Sequence, residues 1–254
     1  MGRSVEWTDE AIVLSAARLG DSDAVLEVMT PHHGRARGFI KGGLGRRNKA
    51  NLQPGNQLAV TWRSRLETNL GRFTVELVHS PLGLMLGDGS RLAALSAVTA
   101  TVASTMNERE LHEGVYAGLK VVLDLLEHDS SGMQDWAAAL TKLELGILSA
   151  VGFGLDLSEC ASTGTKENLI YVSPKSGRAV SGEAGMPYKG RLLDLPAFVA
   201  SGAVSAPSLD DVINGLKLTG YFLERNIWIV HGKGQPAARE RLFSSLLATV
   251  QPHP

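Results

Sequence analysis

The apolar pattern of this chain changes period once, near Pro81, and no other feature narrows the possible folds as much. Before that point the hydrophobic residues alternate, as they do in strands with one wet face. The runs "EAIVLSAARLG", "AVLEVMT", "RARGFIKGG", "NQLAVTWRSRL" and "LGRFTVELVHS" are five strand-like segments. They are separated by turn signals such as "GDSD" and "PHHG". After Pro81, "LGLMLGDG" reads as a crossover, and the period becomes helical.

Five short strands in about 80 residues, joined by glycine-rich bends, suit a small closed or partly open barrel. An oligonucleotide-binding (OB) barrel is one such solution, although strand count alone does not select it. The helical part reads as "SRLAALSAVTATVASTM", "ERELHEGVYAGLKVVLDLLEH" and "MQDWAAALTKLELGILSAVGF", the last ended by Gly152 and Gly154. From about 156 to 195 the chain is short-segmented and polar, with "STG", "SPKSGR" and "SGEAGMP". Helices are expected to resume in "LPAFVASG", "SLDDVINGLKLTGYFLERNIW" and "PAARERLFSSLLATV", with Ser208 as an N-cap. The expectation is a multi-domain α+β chain: a barrel over 1–82 and an all-α domain over 83–254 that carries the 156–195 insert.

Charge is distributed unevenly along these regions. The 254 residues carry a net charge of −1, but Pro31 to Leu66 holds eight cations and no acid. These are Arg35, Arg37, Lys41, Arg46, Arg47, Lys49, Arg63 and Arg65. Setting them aside leaves 17 cations against 26 acids. A basic segment on an acidic body is a local electrostatic footprint that the average conceals. No apolar run is long enough for a membrane helix. The opening "MGRSVEWTDEAIVL" has early acids and no apolar core, which argues against a secretory signal. A single cysteine, Cys160, excludes an internal disulfide and suits a reducing cytoplasm.

Several chemistries can be weighed on the basic stretch. A P-loop needs G-x-x-x-x-G-K-[ST], and "GGLGRRNK" lacks both that spacing and the hydroxyl. A Rossmann glycine fingerprint is also absent. Cations on alternating strand positions, followed by a mobile loop bearing Arg46, Arg47 and Lys49, can instead track a phosphate backbone without reading sequence. Phe39, Trp62 and Phe73 lie nearby and could stack bases or fill the barrel. Core filling is the preferred reading for the two phenylalanines, whereas Trp62 is a candidate for DNA contact. His32 and His33 read as an exposed turn pair.

Catalytic and metal signals are weak. "EHDS" places His, Asp and Ser in series, but triads assemble in space. No nucleophile elbow, HExxH or paired-carboxylate motif is present, so no enzyme activity and no cofactor are expected. Cys160 in "ECASTG" has no second thiol, and no histidine lies between 129 and 230, so a zinc ribbon cannot be completed there. In "ERNIWIVHGKGQPAARERL", Arg225, Lys233, Arg239 and Arg241 sit close in sequence to Phe222 and Trp228. They could line a pocket for a partner's acidic, aromatic-ended peptide, or be helix-end charge over core aromatics.

The order of these pieces resembles the RecO family, bacterial recombination mediators of the RecF pathway. The segments carrying the resemblance are "EAIVLSAARLGDSDAVLEVMTPHHGRARGFIKGG", "LQPGN", "VGFGLDLSEC", "YVSPKSGRAVS" and "LTGYFLER". The resemblance implies an N-terminal OB fold and a helical C-terminal domain. It implies binding of single- and double-stranded DNA, annealing of complementary strands, and partnership with RecR and with the C-terminal tail of single-stranded DNA-binding protein (SSB). It also implies a cytoplasmic, nucleoid-associated location. Many members hold zinc on four cysteines of the insert. Here Cys160 keeps the first position, while Thr163, Ser181 and Ala184 take the others, so the loop is expected to hold its shape by hydrogen bonds and packing.

Overall fold

A computed structural model describes residues 5–66, 68–200 and 206–250. Backbone contacts divide the chain into two compact units, one ending at Leu123 and the other beginning at Asp124.

The first unit is built on a closed barrel. Its strands are β1 (Val5–Leu19), β2 (Asp23–Thr30), β3 (Gly34–Ile40), β4 (Gln57–Ser64) and β5 (Gly71–His79), with a short helix α1 (Arg46–Asn51) between β3 and β4. The strand order is β1-β2-β3-β5-β4. β1 is long enough to serve two neighbours: Val5–Ile12 pairs with β4, and Ile12–Leu19 pairs with β2. A register shift between Val13 and Ser15 bends it from one partner to the next. The barrel closes through a short parallel contact, where Gly38 faces Gly71 and Phe39 faces Arg72.

Alternation decides what the barrel encloses. Ala11, Val13, Leu26, Val28, Leu58, Val60, Trp62 and Phe73 form a buried core, with Trp7 packed against it. The closing strands pass unusually near these rings. A Cβ on Gly38 would lie 2.7 Å from the Phe73 ring, and one on Gly71 would lie 2.1 Å from Trp62. Ile12, Leu14 and Met29 are buried but stand outside this core. Helix α3 (Gly89–Thr105) packs on β1, so the period change near residue 82 does not end the unit. The crossover itself holds one short turn of helix, α2 (Leu82–Met85). Asp88 then caps α3, accepting from the Ser90 and Arg91 N–H groups at 2.9 and 3.1 Å.

Helix α4 (Glu113–Glu127) carries the chain across the division. The second unit contains α5 (Met133–Ala150), α7 (Leu209–Leu223) and α8 (Ala237–Val250). Ser208 caps α7 as expected, accepting from Asp211 N–H at 3.1 Å. A turn of π-helix, Glu224–Trp228, extends α7. The expected helix in "LPAFVASG" is a single hydrogen-bonded turn over its described residues, with the Val199 and Ala200 N–H groups returning to Pro196 and Ala197. Residues 201–202 of that segment lie outside the described residues.

The insert is a three-stranded sheet in the order β7-β6-β8, from β6 (Leu169–Val172), β7 (Ala179–Ser181) and β8 (Leu193–Asp194). A helical turn α6 (Gly182–Gly185) and a 3-10 turn connect β7 to β8. Cys160, Tyr171 and Val180 form its small core, and Ala184 packs against them. Burial pushes the Cys160 thiol up, but hydrogen bonds from the side chains of Ser181 and Thr163, and from the backbone of Ser181 and Ser162, outweigh it. The result is a thiol lowered to about 6. One thiol, two hydroxyls and a methyl do not make the tetrahedral shell of soft or nitrogen ligands that zinc takes. Among the described residues no group of three or more His, Cys, Asp or Glu could hold a metal.

Candidate nucleic-acid interface

Strand register sorts the cations of the first unit. Arg35, Arg37 and Phe39 alternate with the inward Ala36, Gly38 and Ile40, so all three stand on the outer face of β3. Across the closing pair Phe39 faces Arg72, Arg72 faces Arg63 on β4, and Arg63 faces Glu6 on β1. One row therefore crosses four strands. The Arg72 guanidinium lies over the Phe39 ring at 5.9 Å, and Arg63 donates to Glu6 at 2.7 Å. Arg37 stands one outward position along β3 from Phe39, and it is exposed, as are Arg72 and Arg63. Exposed guanidiniums on adjacent strands can neutralise successive phosphates.

Arg35 is differently engaged, which corrects its assignment as a DNA contact. Its guanidinium pairs with Glu27 and donates to the Met106 carbonyl at 2.7 Å, while its own carbonyl accepts from Arg109 N–H at 2.8 Å. It fastens β3 to the segment that follows α3. Trp62 is corrected too. It is 2% exposed, and its indole N–H donates to the Arg37 carbonyl at 3.0 Å, so its ring faces are not free to stack a base. Phe73 is core, as expected, whereas Phe39 does not fill the barrel: it stands on the outer face of β3.

The segment read as a mobile loop is ordered by a helix. Asn56 is buried, and its side-chain amide donates to the Ala50 and Asn51 carbonyls at 3.0 and 2.9 Å. Ser80 donates back to it at 2.8 Å. This buried amide ties the end of α1 to the barrel. Arg46 and Lys49 on α1, Lys41 before it and Arg65 after β4 are exposed. Arg47 lies in α1, and its side chain is outside the described set.

Sequence reasoning missed Arg72, Arg109 and Trp7. Arg72 follows the acid Glu67, which ended the acid-free run, yet its alternation with Phe73 was visible. Trp7 and Arg109 are far from the basic stretch, and only folding brings them to it. Trp7 stacks on His33 at 4.1 Å and 9°, and on Trp62 at 5.7 Å. The Arg109 guanidinium sits over Trp62 at 5.5 Å. His33 is held by Asp9, whose carboxylate meets the Nδ1 atoms of His32 and His33 at 3.0 and 2.9 Å and accepts from His32 N–H at 3.1 Å. Burial pushes the Asp9 carboxyl up, but these hydrogen bonds outweigh it and hold it below the usual value. His32 is raised by the same hydrogen bond and charge of Asp9. The histidines are thus a built corner rather than a loose turn.

In the second unit the supposed peptide pocket is largely core. Phe222 and Trp228 are buried, and so is Arg239. Arg239 donates from Nε and Nη2 to the two oxygens of Glu144 at 2.7 and 2.8 Å, and from Nη2 to the Leu216 carbonyl at 2.7 Å. The Thr219 hydroxyl also donates to Glu144. Phe222, Trp228 and Arg239 are corrected as partner contacts: all three are buried, and Arg239 pins α5, α7 and α8 together. Arg225, Lys233 and Arg241 are exposed, and Arg225 donates to the Pro174 carbonyl.

No described helix is long and apolar enough to cross a membrane. The family model "Recombination protein O N terminal" matches residues 1–81, and "Recombination protein O C terminal" matches 86–230. The chain is 43% identical over 243 residues to DNA repair protein RecO of Rhodospirillum rubrum, covering 95% of this chain and 96% of that protein. It is 44% identical over 247 residues to its counterpart in Methylobacterium nodulans, covering 95% and 98%. With that of Xanthobacter autotrophicus it shares 39% over 248 residues, covering 98% and 100%. Both halves of the chain and its full span in these relatives agree: it belongs to the RecO family of DNA repair proteins.

Proposed function

We propose that this protein is a non-enzymatic recombination mediator whose first unit is an OB-type barrel. Its outer face grips the backbones of single- and double-stranded DNA without regard to sequence. The observation that carries this reading is the exposed Arg37 and Arg72 on adjacent strands, with the exposed Arg63 next in the row and held by Glu6; Lys41, Arg46 and Lys49 are exposed as well. Two complementary strands repel each other, and a surface that screens both lowers the barrier to pairing. Annealing of this kind needs no nucleotide cofactor. The second unit, with the insert read as a degenerate zinc ribbon, would dock RecR and the acidic SSB tail, so that recombinase is loaded on coated strands in the cytoplasm. Exposed Arg225, Lys233 and Arg241, with exposed Ile229 and Val230 in the same stretch, support a docking surface there.

The test is the salt dependence of DNA binding. The logarithm of affinity should fall with log salt by about 0.9 per phosphate contacted on duplex and about 0.7 on single strands. Neutralising Arg46, Arg47 and Lys49 together should flatten that slope and slow strand annealing. A flat dependence in the wild type, or unchanged binding in the triple variant, would overturn the role of this segment.

A further inference from the structure

We propose that the cleft walled by Trp7, His33, Arg37 and Arg109 receives one unstacked nucleobase of a single strand; this rests on the DNA-binding reading above. The cleft is about 220 Å³ and is lined by those residues together with His32, Ala36 and the edge of Trp62. Pockets for drug-sized molecules run to about 300–1,000 Å³, so this one suits a single planar group rather than a larger ligand.

Three observations select a base as the occupant. The first is the wall: Trp7 is stacked between His33 and Trp62, which leaves the outer face of the His33 ring as the flat aromatic surface that can hold a base of any sequence. The second is Arg109. Its φ is 65°, a backbone state that a residue with a Cβ rarely adopts. The state is imposed by its N–H bond to the Arg35 carbonyl at 2.8 Å and its guanidinium bond to the Asn69 carbonyl at 3.0 Å. Strain kept at such a point delivers the guanidinium over the cleft, where its remaining N–H donors can meet ring acceptors. The third is continuity. Arg37 belongs both to the cleft and to the outer cationic face of β3, so a nucleotide can leave its phosphate on that face and turn its base inward.

A paired base cannot enter, so the cleft distinguishes single strands from duplex. Asp9 serves as a positioning residue, because its contact with the His33 Nδ1 at 2.9 Å sets the angle of that ring.

The test compares a thymidine oligonucleotide with an abasic strand carrying the same number of phosphates. Wild-type protein should bind the thymidine strand tighter by roughly 5- to 100-fold, the worth of one stacked base. His33→Ala should bring that ratio close to one, and His33→Phe, which restores a ring, should recover most of it. Equal affinity of wild-type protein for the two strands overturns the base site while leaving backbone binding intact. Binding to neither strand overturns the DNA reading itself, and the base site with it. A ratio unchanged in a folded His33→Ala protein also overturns the site.

Discussion

Gly71 lies directly against the indole of Trp62: a Cβ at position 71 would stand 2.1 Å from Cε2 and 2.3 Å from Nε1. Its partner across the closing pair, Gly38, is crowded in the same way by Phe73. The barrel can close only because neither strand carries a side chain there. Gly71→Ala should therefore cost about 1–3 kcal/mol of stability, the usual penalty for overpacking. Urea denaturation measures it. A change under a few tenths of a kcal/mol would mean that Trp62 is not seated as described.

Arg35 and Arg72 occupy the same outer surface but should respond differently to removal. Arg72→Ala should lower the salt slope of single-strand binding by about 0.7, one phosphate contact, and leave stability nearly unchanged. Arg35→Ala leaves Glu27 without its guanidinium and the Met106 carbonyl without its donor. It should cost roughly 1–3 kcal/mol of stability and alter the slope little. Salt titrations and thermal melts of both variants separate the two roles, and a reversed pattern would refute the assignment.

The Glu144–Arg239 pair is enclosed in the second unit, with the carboxylate fully buried. Burial works against the Arg239 charge, but the Glu144 carboxylate outweighs it and raises the guanidinium above its ordinary value. Glu144→Gln strands a buried cation and should cost about 3–5 kcal/mol. Adding Arg239→Met should recover much of that loss, because the unpaired charge goes with it. A double-mutant cycle by chemical denaturation gives the coupling. Near-additive losses would show that the pair is not the source.

The Asp9 corner makes stability depend on pH in two directions. The Asp9 carboxyl is lowered from 3.8, so its contribution is complete above that value and is lost as pH falls through its folded pKa. His32 is raised from 6.5, so its contribution is complete below that value and is lost as pH rises through its folded pKa. Both are at full strength between 3.8 and 6.5. Asp9→Asn should flatten both limbs of the stability profile of the folded protein relative to wild type. Identical profiles would exclude the corner as a source of pH dependence.

The five strands, β1 only from Glu10 onward, α3 to α5 and the Ser208 cap were legible from local pattern. Each depends on residues within a few positions of one another, so alternation, period and turn chemistry suffice. The short α1 was not legible, because its six residues carry little apolar signal. It is held from outside by the buried amide of Asn56. The helix expected in "LPAFVASG" failed for the opposite reason: its apolar residues promise more helix than forms, because one turn over Pro196 satisfies the local backbone.

By itself the sequence determined that a basic, strand-rich region precedes a helical one, and that no phosphate loop, catalytic motif or zinc ligand set is written into it. These properties are carried by neighbouring residues, and the resemblance to RecO rested on them. Only the tertiary structure decided which cations face solvent. Arg35 meets Glu27 and Arg239 meets Glu144 through register and helix packing, and those pairings draw them out of any DNA or peptide surface. The same register brings Arg72 beside Arg63, and the fold brings Trp7, His33 and Arg109 to one cleft. A charge is available to a ligand only when its neighbours leave it so, and neighbours distant in sequence are set by the fold.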